Sequence, residues 1–127
     1  MRDFEGSAAI ATSADRLFNY LADVRHLPDY FPKALSAKAG DGDRLSIVLD
    51  LGGEAVELPA WFLADETRRL LQWGVPEAGY QGWMAITADP VGCALTVSVQ
   101  KPVDDDAIDA EISDTIASIR TIMRRPA

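Results

Sequence analysis

The chain has 127 residues, enough for one domain that buries roughly two-thirds of its unfolded surface and too few for a second independent core. Its 20 acidic residues outweigh 12 basic ones for a formal charge of −8, which disfavours nucleic acid and anionic membrane surfaces as partners. With Cys93 as the single cysteine no intramolecular disulfide can form. No apolar run is long enough to span a bilayer and the first five residues are charged rather than signal-like, so the expectation is a soluble, cytoplasmic chain without stable membrane insertion.

Residues Phe4 to Ala11 suit an opening strand. Thr12-Ser13-Ala14-Asp15 then offers a helix N-cap with an acidic residue three positions later, and Leu17, Leu21 and Val24 follow at helical spacing with Phe18 beside them. Pro28 and Pro32 limit Val24 to Phe31 to a short second helical turn. From Lys33 the period becomes two, most clearly at Leu45, Ile47, Leu49 and Leu51. Gly40-Asp41-Gly42-Asp43 and Gly52-Gly53 bracket that strand with hairpin turns. Val56 to Phe62, Arg69 to Val75, Tyr80 to Ala88 and Cys93 to Gln100 supply the later strands, with turn-like connections between them, so a meander is predicted.

Pro102 ends the last strand, and Asp104, Asp105 and Asp106 place negative charge where a helix from Asp104 to Arg125 begins. Ile108, Ile112, Ile116, Ile119 and Met123 recur at helical spacing, while Asp109, Glu111, Asp114 and Arg120 point elsewhere. About 20 helical residues span about 30 Å, enough to cross a sheet of this size. Arg120, Arg124 and Arg125 complement the negative end of that helix, or else form a small basic patch.

The stretch Ile10-Ala11-Thr12-Ser13-Ala14-Asp15-Arg16-Leu17-Phe18-Asn19-Tyr20-Leu21-Ala22-Asp23-Val24, then Leu27-Pro28-Asp29-Tyr30-Phe31-Pro32, resembles the first strand and two grip helices of the START-like, or SRPBCC, helix-grip superfamily. Leu71-Gln72-Trp73 and Gly82-Trp83 are similar to later strands of its polyketide-cyclase-like members. The resemblance spans nearly the whole chain. It implies an α+β helix-grip fold: a curved seven-stranded antiparallel sheet around a long C-terminal helix, with two short helices after the first strand. It also implies a cavity between helix and sheet for a hydrophobic ligand such as a lipid or polyketide, with enzymes among the members.

No phosphate loop, zinc helix, paired-cysteine motif or nucleophile elbow is present, and no cofactor or metal is expected. If the alternation holds, Leu45, Ile47, Val56, Leu58, Phe62, Leu70, Met84, Ile86, Leu95, Val97 and Val99 face the helix, with Ile112, Ile116 and Ile119 opposite them. Tyr30, Gln72 and Tyr80 are the polar groups available to orient a ligand; the alternative puts Gln72 in solvent and both tyrosines at a rim. The same alternation sends Trp61, Trp73 and Trp83 to the outer face, which suggests a homodimer interface, unless a bulge or register shift turns one tryptophan inward. Three readings follow. One is a binder of a small hydrophobic molecule. The second is a cyclase, aromatase or dehydratase using Tyr30, Tyr80, His26 or an inward carboxylate such as Glu57. The third is a protein-interaction module. His26 is otherwise an ordinary linker residue and Cys93 a small buried filler.

Overall fold

Alternating apolar and polar side chains carry seven segments into strands: β1 (Arg2–Ile10), β2 (Ala34–Ala39), β3 (Arg44–Leu51), β4 (Glu54–Asp65), β5 (Leu70–Val75), β6 (Tyr80–Asp89) and β7 (Gly92–Lys101). The computed structural model describes residues 2–31, 34–51, 53–101 and 107–124. All the strands join one antiparallel sheet in the order β1-β7-β6-β5-β4-β3-β2. β2 to β7 form the expected meander, and β1 closes onto β7 from Arg2↔Lys101 to Ile10↔Cys93. The hairpin between β2 and β3 places Gly42 at φ 60, a left-handed conformation that glycine adopts without steric cost.

The connection from β1 to β2 crosses from one sheet edge to the other. It holds α1 (Ala14–Leu21), one 3₁₀ turn (Val24–His26) and α2 (Leu27–Tyr30). Ser13 starts α1 by accepting the Arg16 N–H on its hydroxyl at 3.2 Å, and Ala14, Leu17, Phe18 and Leu21 bury the helix's inner face. Asp23 starts the next turn by accepting the Arg25 N–H at 3.0 Å. Pro28 sits in the first turn of α2, where its missing N–H costs nothing.

The C-terminal helix, α3, runs Ala107–Met123. Its expected cap at Asp104, Asp105 and Asp106, the Pro102 stop, Arg125, Pro32, Lys33 and Gly52 lie outside the described residues, as does the side chain of Ile108. Ile112, Ile116, Ile119 and Met123 are all buried. The helix packs chiefly on β1, β7 and α2. Its close approach to β1 depends on Gly6: a Cβ there would stand 2.8 Å from Ile112 Cγ2 and 3.3 Å from Ile116 Cδ1. Arg120 fastens the same edge by donating from Nε to the Ala9 carbonyl at 3.1 Å. Among the described residues, no helix is long and apolar enough to cross a membrane.

Gly6→Val is expected to destabilise the fold by about 1–3 kcal/mol, since the branched side chain must push α3 off the sheet. Urea unfolding checks this: the midpoint falls while the slope stays constant.

Candidate functional site

Cross-strand register assigns each side chain to a face. On the helix side, Phe62, Trp73, Gly82, Val99 and Phe4 form one row and Ala64, Leu71, Met84, Val97 and Gly6 the next. Because α3 lies over β1 and β7, this inner face is unevenly covered. Leu71, Met84, Leu95 and Val97 are fully buried, whereas Ala37, Leu49, Val56 and Leu58, toward β2, β3 and β4, are only half-buried. An apolar strip is left beside the helix, bordered by Ile47, Phe62, Trp73 and Tyr80.

The expected lining residues divide accordingly. Ile47 and Phe62 are buried floor residues, and Leu58 keeps accessible surface in the strip. Met84, Val97 and Ile119 expose 1 % or less of their surface, so no water-sized void reaches them. Ile86, Ile112 and Ile116 are buried in the same core.

β5 corrects the sequence-based alternation. Leu71 and Trp73 face inward, whereas Leu70 and Gln72 face outward; Gln72 is exposed between Leu63 and Trp83. Alternation along β4 does not carry its parity through the Glu66–Arg69 turn, where Arg69 adopts φ 49 and the chain re-enters the sheet with a new phase. Trp73 lies across Gly82, where a Cβ would meet Cζ2 of the indole at 2.6 Å. Trp61 and Trp83 do point outward, both half-buried, and Trp61 lies over Gly74. A pair of indoles and the 48 % exposed Leu63 therefore mark the outer face in place of three tryptophans. Glu57 is likewise outward and exposed, accepting from the Ser46 hydroxyl at 2.9 Å, so it is no interior carboxylate.

The inner polar groups differ from those expected. Tyr30 is buried in α2 and donates its hydroxyl to the Leu21 carbonyl at 3.1 Å, tying α2 to α1. Burial pushes its phenol well above the ordinary range, so it stays protonated. Tyr80 faces inward beside the strip, its phenol raised first by burial and then by the Glu111 carboxylate. Glu111, on α3, has one carboxylate oxygen shut off from solvent, although helical spacing had set it apart from the isoleucine stripe. The indole N–H of Trp73 is also shut off from solvent and has no hydrogen-bond partner among the described residues. The Phe31 ring lies against that indole, with centroids 5.1 Å apart and planes tilted by 60°. No sequence pattern announced Glu111; for Trp73 the available signal was Gly82, since a glycine inside a strand marks a place where another group can approach closely.

His26 stacks on Tyr20 at 4.0 Å and 10° between planes. Its Nδ1 lies 2.8 Å from the Tyr20 carbonyl, which can only accept, so Nδ1 carries a proton. Cys93 is buried, and burial pushes its thiol up, away from nucleophilic character. Among the described residues no cluster of three or more His, Cys, Asp or Glu side chains could hold a metal. Two open grooves lie elsewhere. One of about 720 Å³ runs between β1 and α3 past Ser7, Arg120 and Arg124, and one of about 520 Å³ lies by Ser13, Arg69 and the β6–β7 turn.

Solved structures share this arrangement over nearly the whole chain. A START superfamily protein from Mycobacterium smegmatis superposes with a TM-score of 0.74 at 11 % identity, covering 96 % of this chain and 97 % of its own. The chain has a START-like helix-grip fold. Zhui aromatase/cyclase from Streptomyces sp. R1128 has the same fold, with a TM-score of 0.68 at 17 % identity over 96 % of this chain and 90 % of its own. The di-domain ARO/CYC BexL matches with a TM-score of 0.76 at 17 % identity, but 95 % of this chain corresponds to 46 % of that one. No protein-family model and no curated protein matches the sequence. The strip lies on the inner face of the sheet, beside the C-terminal helix.

The segment joining α1 to α2 carries a pH marker. Hydrogen bonds from the Arg25 side chain and backbone hold the Asp23 carboxyl down at about 2, against 3.8 ordinarily. The folded value is depressed, so the stabilising contact is present above the ordinary value and is lost as pH falls through about 2. Carboxyl-carbon NMR should give that midpoint for Asp23, and Arg25→Gln should raise it toward the ordinary value.

Proposed function

We propose that this chain binds a small hydrophobic molecule on its inner sheet face, between α3 and the β2–β4 half of the sheet. The uneven burial carries this reading. Leu49, Val56 and Leu58 keep accessible apolar surface beside a fully packed core, and such surface in a concavity is where ligands of this kind gain most from leaving water. Likeness to a START superfamily protein and to aromatase/cyclases supports the same placement. Covering the strip releases roughly 25 cal/mol for every Å² of apolar surface removed from water.

Native mass spectrometry and thermal-shift measurements with lipids, quinones and aromatic polyketides test the proposal. At least one class should be retained and should raise the melting temperature. Leu58→Arg, which puts a charge into the strip, should weaken that binding about ten-fold or more while leaving the free protein's stability within about 1 kcal/mol. Absence of any stabilising compound would sink the reading.

Acid–base catalysis is the second reading, favoured by Tyr80 beside Glu111. The phenol, kept protonated by burial, would donate a hydrogen bond to a ligand carbonyl and the carboxylate would act as base. A mass or absorbance change in a bound polyketide, lost in Glu111→Gln with affinity within a few-fold, would establish it; an unchanged compound after prolonged incubation would reject it.

A further inference from the structure

The groove between β1 and α3 lies at the sheet edge farthest from β2, apart from the inner strip. β1 is an edge strand whose one strand partner is β7, in unbroken register from Arg2 to Ile10. Arg120 reaches the Ala9 carbonyl from α3, outside the β1–β7 ladder, so that carbonyl points away from β7. In an antiparallel pair the N–H and C=O of one residue point to the same side, and the side alternates along the strand. Glu5 and Ser7 therefore turn their main-chain groups to the free edge as well. The Ser7 and Thr96 hydroxyls, 3.0 Å apart, agree with this, because side chains come closest at pairs that exchange no ladder hydrogen bonds.

α3 runs beside that edge and not across it: Ile112 and Ile116 lie at Gly6, and Arg120 stands at Ala9. From Ile112 to Arg124 the helix extends about 18 Å, the length of about five or six residues of strand. The groove between helix and edge holds about 720 Å³. Its helix wall presents Ser113, Ala117 and Thr121, all exposed and too short to fill it. Arg120 and Arg124 stand at one end, exposed, and neither forms an ion pair among the described residues. Arg120 covers the Ala9 carbonyl, whereas Glu5 and Ser7 have β7 on their other side and no strand on this one.

We propose that this groove takes an extended acidic peptide of a partner protein as an added strand beside β1. The main-chain groups of Glu5 and Ser7 pair with the peptide backbone, alternate peptide side chains lie over Ser113, Ala117 and Thr121, and an Asp or Glu at one end meets Arg120 and Arg124. A sheet edge flanked by a helix suits this mode of recognition, in which main-chain hydrogen bonds give affinity and the spaces for alternate side chains give selectivity. Charge sets the register. The net charge of −8 repels an acidic segment from most of the surface, and the two arginines supply the local exception. This proposal is independent of ligand binding in the strip.

Acetyl-Thr-Val-Thr-Val-Glu-Glu-amide and acetyl-Glu-Glu-Thr-Val-Thr-Val-amide cover the two strand directions, and the same pair with Lys in place of Glu controls for charge. Each is titrated into the full chain and followed by amide NMR and hydrogen exchange. In the free protein the Glu5 and Ser7 amides should exchange at least about ten-fold faster than those of Gly6 and Ala8. At least one acidic peptide should bind and slow Glu5 and Ser7 by about ten-fold or more, and its Lys form should bind at least about ten-fold weaker. Arg124→Glu, which leaves the Arg120–Ala9 bond intact, should weaken the acidic peptide and strengthen its Lys form. N-methylation of every second peptide residue should abolish binding in at least one of its two phases, a loss that attraction between charges alone would not produce.

Protected Glu5 and Ser7 amides in the free protein, no response of those amides to either acidic peptide at about 1 mM, equal binding of Glu and Lys forms, or binding that survives N-methylation in both phases overturns the proposal. So does a dimer, detected by sedimentation, whose formation protects Glu5 and Ser7, because it assigns the groove to a second copy of the chain.

Discussion

The pairing of β1 with β7 brings the two ends of the chain together, and nearly every other placement follows from it. A first strand hydrogen-bonded to the last leaves α1 and α2 to cross the sheet before the meander can begin at the opposite edge. It also positions α3, which leaves β7 and packs back over β7 and β1. That packing is possible because Gly6 offers no side chain to Ile112 and Ile116. In the interior of a strand, glycine costs conformational entropy and contributes no packing of its own. Here the return is the close approach of a helix whose buried isoleucines and methionine supply one wall of the core.

A helix committed to one side of the sheet cannot cover the other. Close packing of α3 on β1 and β7 makes that half dense enough to exclude water, and the same geometry leaves apolar surface accessible on β3 and β4. Dense packing and accessible apolar surface thus occupy different halves of one face. The polar groups bordering the open half owe their character to their surroundings. Low dielectric keeps Tyr80 a donor, strengthens the influence of Glu111 on it, and makes the unpaired indole of Trp73 expensive.

Much of the arrangement was legible from residue order alone. The helix start within Thr12-Ser13-Ala14-Asp15, the proline limits around α2, the period of two in β3 and β4, and the isoleucine stripe of α3 each have one physical reading. β5 did not. Leu70-Leu71-Gln72-Trp73 carries large side chains in both phases, so hydrophobicity does not choose between them, and the preceding turn does not transmit the phase of β4. Cross-strand partners decide it. Each of Trp61 and Trp73 lies flat over a glycine, Gly74 and Gly82 respectively, and the glycine supplies the space that an indole against a sheet requires.

By itself the sequence determined the elements, their order and the antiparallel meander, because periodicity, caps and breakers act over a few residues and need no distant partner; the fold class came from the family resemblance. Tertiary structure alone decided which tryptophan turns inward, that Tyr30 ties α2 to α1, and that Glu111 stands near Tyr80. Those outcomes depend on contacts between residues far apart in the chain, whose phase and distance are set only when the sheet has paired and α3 has docked. Elements are local consequences of side-chain chemistry, whereas a site is a meeting of surfaces.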